Sequence, residues 1–309
     1  MTLPLTAPTA TSGLRRTGEV LGAYVALTKP RIIELLLLTT LPVMFLASDG
    51  VPRLSLVLAT LVGGTLSAGS ANTLNCVVDA EIDARMRRTR RRPLARQLVS
   101  RPAALAFGLV LGGVSTAILG VLVNWESALL ALAANVFYVV GYTMWLKPRT
   151  TQNIVWGGAA GCVPALIGWT AVRDSLAWPP VMLFLVVFFW TPPHFWALAM
   201  RYREDYAAAD VPMLPVVATA HAVTRQILGY AIATVATSLT LWPVAHTGAV
   251  YPILALLLGG LFVGEATRLL VRSRHSEELS VLQPMRLFHL SNIYLTLLFV
   301  AVALIPFIG

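Results

Sequence analysis

The sequence predicts an all-α polytopic membrane protein with nine transmembrane helices. Three observations carry this prediction. The first is composition: 57% of the 309 residues are hydrophobic and 12% are charged, with a mean hydropathy of +0.75, whereas soluble domains hold about 25% charged residues. The second is length. The apolar residues gather in nine runs of 17 to 22 residues, each enough to cross about 30 Å of hydrocarbon as a helix. The runs lack the ten-residue alternation of a barrel, and only helices or closed barrels satisfy the backbone in lipid. The third is charge. With the N-terminus placed in the cytoplasm, the inside segments carry 21 of the 23 Lys and Arg residues, leaving Arg53 and Arg173 outside. A missed or extra helix would scramble that parity.

Taken in order, residues 1–28 read as a flexible cytoplasmic tail. They are small and polar, contain Arg15 and Arg16, and lack the apolar core of a secretory signal. Residues 29–309 read as a single transmembrane domain, with runs at 32–48, 54–75, 103–123, 127–146, 153–172, 178–199, 224–244, 250–268 and 287–308. The net charge of +9 follows from short basic inside loops rather than from nucleic-acid binding. Cys76 and Cys162 are too few for a disulfide or zinc framework and read as small buried residues.

The chemistry gathers on the cytoplasmic side. Asn75, Asp79 and Asp83 follow one another at i, i+4 and i+8, a spacing that keeps all three on one helix face. Two acids at i, i+4 repel, and an acid within the membrane costs about 2.5–3.5 kcal/mol at the centre. A hard divalent cation offsets both, and oxygen ligands with phosphate partners suit Mg²⁺. The plain alternative is a solvated helix end whose acids pair with nearby arginines. Eight arginines follow within 85–101, more than orientation requires. Anionic lipid head groups account for several, and one or two, such as Arg88 and Arg92, are placed to fork onto a diphosphate. A second acidic stretch, REDYAAADVPML, brings Asp205 and Asp210 after the sixth run. It echoes the first cluster four helices later, as in membrane proteins built of repeats, and paired with it would hold a second metal ion. Lys29, Arg31, Lys147, Arg149 and Arg201 stand at cytoplasmic helix ends, either as anchors or as further diphosphate ligands. Pro192 and Pro193 are expected to interrupt the sixth helix just before His194. His194 is thereby a candidate for a metal centre or a proton. His289 is the other membrane-embedded histidine, and Asn292 shares its helix face.

These residues together resemble the UbiA-type intramembrane prenyltransferases, and within them the members that farnesylate haem. The resemblance rests on NxxxDxxxD running into Arg88, Thr89, Arg92, Pro93 and Leu94, on LTKPRI, WLKPRTTQNIVWGG, WTPPHFWALAMRYREDY and VPMLPVV, and on Ser291 and Tyr294 near the end. It covers nearly the whole chain. It implies a nine-helix bundle around a membrane-embedded cavity that opens at the loops after the second and sixth helices. It also implies transfer of a farnesyl group from farnesyl diphosphate to a vinyl carbon of haem b, supplying terminal oxidases and a downstream haem A synthase. On this view Asn75, Asp79, Asp83 and Asp205 hold two Mg²⁺ ions on the diphosphate. Arg88, Arg92, Lys147, Arg149, Lys29, Arg31 and Arg201 bind its charge, while His194, His289, Asn292 and Tyr206 bind haem. One position departs from the pattern: Asp210 stands where the family has glycine. Two other readings share some of these features. A prenyltransferase of quinone precursors would use the same acids, whereas an ion-coupled transporter would place its acids near the midplane.

Overall fold

The computed structural model describes residues 10–308. Among these residues every regular element is a helix. Nine helices are long and apolar enough to cross a membrane: Pro30–Ser48, Leu54–Val78, Arg101–Leu122, Trp125–Leu146, Asn153–Arg173, Trp178–Arg201, Ala220–Val244, Val250–Arg272 and Leu279–Ile308. These first to ninth spans fall on the nine predicted runs, with ends displaced by a few residues. Consecutive spans pack side by side around a ring, the ninth closes it against the first, and further contacts join the first to the fifth and the sixth to the ninth.

Helices in lipid gain no hydrophobic drive from one another, so close packing of small residues holds them together. A Cβ on Gly63 would meet the Leu119 side chain and one on Gly108 the Leu74 side chain, so the second and third spans approach closely. Gly168 sits directly on the Thr40 carbonyl and joins the fifth span to the first. The opposite surface is apolar and exposed, as at Leu58, Leu109, Leu256 and Leu261, as a lipid-facing surface must be. Cys76 and Cys162 are buried free thiols.

Three local features differ from expectation. The segment read as a flexible tail forms a helix over Ala10–Leu27, and residues 1–9 lie outside the described residues. Its end carries a short apolar face, and Ala23 and Leu27 are buried in one cluster with Cys76, Ala80 and Leu94. The sixth span is not interrupted: it is helical from Trp178 to Arg201 with Pro192 and Pro193 inside and buried. Both prolines are packed against neighbouring spans, a setting in which a transmembrane helix tolerates proline. The fourth span changes from α-helix to π-helix over Phe137–Leu146. Its wider turn directs Thr143 and Lys147 toward the second span, where Thr143 meets Asn75 and Lys147 meets Asp79.

Two spaces matter for function. An apolar cavity of about 150 Å³ lies among the first, second, fourth and fifth spans, lined by Leu36, Gly64, Asn72, Ala131 and Tyr138 among others. A wider recess of about 570 Å³ opens between the loops after the second, sixth and eighth spans, lined by Arg87, Arg88, Arg201, Asp205 and Glu277.

Candidate active site

The second span ends at Val78, and a six-residue helix, Ala80–Arg85, follows it through Asp79. The i→i+4 ladder continues across the junction, from the Asp79 N–H to the Asn75 carbonyl at 2.9 Å and from the Asp83 N–H to the Asp79 carbonyl at 2.8 Å. The sixth span is continued in the same way by Arg203–Ala208, which carries Asp205. The two acidic stretches thus share a local design as well as a composition.

Asn75 and Asp79 form the centre. Asn75 Nδ2 donates to Asp79 Oδ2 at 2.8 Å and to Thr143 Oγ1 at 3.0 Å, while its own Oδ1 accepts from Lys29 Nζ at 2.6 Å. Lys147 Nζ donates to Asp79 Oδ2 at 2.5 Å. Asp79 is 2% exposed, and its Oδ1 is buried with no partner. An ionised oxygen left in this condition is costly, so the geometry offers one acidic oxygen to a cation. Lys29 reaches Asn75 from a strained backbone, with φ 53 and ψ 64 in the left-handed region immediately before Pro30. Asn72 Nδ2 holds that turn through the Thr28 carbonyl at 2.8 Å. Burial pulls the Lys29 ammonium below the usual lysine range, opposed in part by Asp79 and Asp83.

Asp83 and Asp205 are also buried, at 3% and 5% exposure. Arg92 grips both oxygens of Asp83, at 2.8 and 2.7 Å, and burial of that guanidinium is outweighed by the carboxylate, so its pKa is raised. Asp205 accepts from Arg87 Nε at 3.2 Å and from the Arg88 main-chain N–H at 3.0 Å. The loop after the second span therefore reaches the loop after the sixth, as the repeated pattern implied. Each acid expected to bind metal carries a basic partner. Among the described residues no three His, Cys, Asp or Glu side chains stand close enough to hold one ion. The structure joins Asn75 and Asp79 directly and seats Asp83 and Asp205 in ion pairs of their own.

The other candidates divide. Arg88 lies over the Tyr202 ring at 5.2 Å and donates to the Tyr206 hydroxyl at 3.2 Å, and burial raises the Tyr206 pKa. Arg149 turns back onto the Met144 and Trp145 carbonyls at 2.9 and 3.1 Å, which makes it a cap for the fourth span. Arg31 is exposed, and exposed Arg201 lines the wide recess. Asp210 is exposed, pairs with Arg85 at 3.3 Å and has φ 55. A left-handed backbone at this position explains why the family pattern has glycine there.

His194 is stacked between Trp190 and Phe288, with ring centroids 4.2 and 4.5 Å away. Its Nδ1 lies 2.8 Å from Ser291 Oγ. That hydroxyl donates its hydrogen to the Phe288 carbonyl at 2.7 Å, so it accepts from Nδ1–H and leaves the lone pair on Nε2. Trp190 Nε1 donates to the Ser291 carbonyl at 2.8 Å and fixes the assembly. His289 does not join it: its side chain is exposed and edge-on to Phe288, and Asn292 donates to the Phe288 carbonyl of its own helix at 3.3 Å. Histidine at 289 is one residue past Phe288 on the helix and therefore faces away from His194. Thr143, Asn72 and Trp190 were not singled out from the sequence. They are ordinary membrane-helix residues until the fold brings their partners near.

Comparison with known proteins bears on fold and descent. The profile of the UbiA prenyltransferase family matches residues 36–306. A protein of Nocardioides sp. described as protoheme IX farnesyltransferase is 68% identical over 291 residues, covering 94% of this chain and 93% of its own. Proteins of the same description from Cutibacterium acnes and Streptomyces avermitilis are 60% and 56% identical, covering 94% and 96% of this chain and 86% and 97% of their own. Among solved structures, a digeranylgeranylglyceryl phosphate synthase superposes with a TM-score of 0.76 at 16% identity, over 93% of this chain and 99% of that one. A UbiA homologue from Archaeoglobus fulgidus, bound to DMAPP and Mg²⁺, superposes with a TM-score of 0.62 at 16% identity, over 90% of this chain and 98% of that one. The structural likenesses establish the fold, the profile and sequence relatives establish descent, and the chain belongs to the UbiA prenyltransferase family.

Proposed function

We propose that the protein transfers a farnesyl group from farnesyl diphosphate to a vinyl carbon of haem b, forming haem O and releasing diphosphate. The name shared by its sequence relatives supports this acceptor. The observation that carries the chemistry is Asp79, buried between Lys147 and Asn75 with one oxygen unpartnered. Asn75, Asp79, Asp83 and Asp205 would hold Mg²⁺, in a donor set of the hard oxygen type that ion requires. Bound there, two Mg²⁺ ions would neutralise the charge of the diphosphate as it leaves. Lys29, Lys147 and Arg92 supply positive charge in a buried site, where charge stabilisation is strongest, and exposed Arg88 adds charge from the edge of the wide recess. Arg31, Arg149 and Arg201 serve the approach of the anion from the cytoplasmic side.

The apolar cavity begins about one helical turn below Asn75, at Asn72, and is suited to shield a prenyl tail. As the carbon–oxygen bond of the donor lengthens, electrons pass to the diphosphate and positive charge develops on the allylic carbon. The haem vinyl π electrons form the new carbon–carbon bond, and water then adds to the vinyl-derived cation and loses a proton. Apolar spans keep water from the first cation. His194, with Nε2 free, is the residue we assign to haem, and Tyr206 closes the roof through Arg88. The basic loops support a site on the cytoplasmic face, in a membrane read as the bacterial plasma membrane, and a haem A synthase would consume the product.

Purified protein incubated with haem b, farnesyl diphosphate and Mg²⁺ is expected to yield haem O by mass. Asp79→Asn is expected to lower the rate by about 100-fold or more while the variant keeps its fold by circular dichroism. A wild-type rate from that variant would remove Asp79 from the chemistry. Prenylation of a quinone precursor with no change in haem would transfer the reading to the other acceptor class.

A further inference from the structure

Asn153 begins the fifth span and is fully enclosed, at 0% exposure. Its Nδ2 donates to the Lys147 main-chain carbonyl at 3.4 Å, and its Oδ1 is buried with no partner. Lys147 therefore links two unpartnered buried oxygens. Its ammonium holds Asp79, and its carbonyl is held by Asn153. Leucine has nearly the same shape and would fill this enclosure without an orphaned polar atom. An amide that keeps a stranded oxygen is there for its N–H groups.

The chain around Lys147 shows why those groups matter. Lys147 ends the π-helix, and its N–H is held by the Tyr142 carbonyl at 2.8 Å. Its own carbonyl stands at a helix C-terminus, where no further turn supplies a donor. The next residue is Pro148, which has no N–H. The N–H groups of Arg149 and Thr150 both return to the Leu146 carbonyl at 3.1 Å. The Asn153 side chain reaches the Lys147 carbonyl from across the turn, so the π-turn fixes one peptide of Lys147 and Asn153 the other. The adjacent Ile154 packs with Met86 and Tyr206, beneath the two acid-bearing loops.

We propose that Asn153 is a positioning residue of the diphosphate site, fixing the Lys147 backbone so that its ammonium stands beside Asp79. The inference rests on the reading of Lys147 as a diphosphate ligand, and the test separates the two. The full chain in detergent is titrated calorimetrically with inorganic diphosphate in the presence of Mg²⁺, and melting temperatures are recorded in parallel. Lys147→Met is expected to weaken binding at least tenfold. Asn153→Leu is expected to do the same with its melting temperature nearly kept, and to raise KM for the prenyl diphosphate more than it lowers kcat. The double variant is expected to bind no more weakly than Lys147→Met alone. If Asn153→Leu does not fold, Asn153→Ser replaces it, with a smaller loss in the same direction. Unchanged binding in Lys147→Met would sink the site reading itself. Weakened binding in Lys147→Met with none in the Asn153 variants, or losses that multiply in the double variant, would overturn the positioning role.

Discussion

Asp210 shows how a single position separates a chemical residue from a conformational one. It lies in an acidic stretch that also carries Asp205, yet its side chain is exposed and reaches only Arg85, itself exposed, at 3.3 Å. An exposed pair of this kind contributes about 0–1 kcal/mol. Its backbone, at φ 55, suits glycine better than any residue with a Cβ. The two effects nearly cancel, so Asp210→Gly is expected to change stability by less than about 1 kcal/mol and to leave activity intact, as a melting curve and a turnover assay would report. Loss of activity in that variant would make Asp210 a ligand after all. Asp205, five residues earlier, has the opposite environment: it is 5% exposed and held by Arg87 and the Arg88 N–H. The pattern of acids in the sequence did not distinguish these neighbours, because burial is decided by a loop more than 100 residues away in the chain.

At the scale of elements, the spans were legible and their interior irregularities were not. A helix that crosses lipid needs about 20 apolar residues, which leaves a signal that no packing detail can hide. The change from α to π in the fourth span leaves none, since Phe137–Leu146 is as apolar as the α-helical part before it. The prolines of the sixth span misled in the other direction: a local rule for breaking helices is overridden in this bundle, where Pro192 and Pro193 are buried inside a continuous helix. The ion pairs were equally hidden, because Lys147 and Asp79 are 68 residues apart. Helix–helix approach also depends on partners, and it allows a direct test. A Cβ at Gly168 would strike the Thr40 carbonyl, whereas Gly229 has nothing within 4 Å of the same position. Gly168→Ala is therefore expected to cost about 1–3 kcal/mol through forced backbone movement and Gly229→Ala to cost nothing measurable. Equal melting temperatures for the two variants would show that the first and fifth spans are not in close contact.

For the whole molecule, the question is which side of the membrane receives the diphosphate. Every loop that builds the site is on one side of the bundle, because an even number of spans separates the loop after the second from those after the fourth, sixth and eighth. Cross-loop pairs bind these segments together: Arg85 with Asp210, Arg87 with Glu204 and Asp205, and Arg203 with Glu277. The same loops hold the excess of Lys and Arg, the charge pattern of cytoplasmic loops. Topology and chemistry thus point to the same side: the side that is positive for topology is the side that needs positive charge for an anionic substrate. Cysteine labelling separates them, because the two native cysteines are buried and free. Ser175 lies in the exposed loop between the fifth and sixth spans and His275 in the exposed loop between the eighth and ninth. In intact cells a membrane-impermeant maleimide is expected to label Ser175→Cys and to leave His275→Cys unlabelled until the membrane is opened. The reverse pattern would place the active-site loops outside, where a cytoplasmic prenyl diphosphate could not reach Asp79.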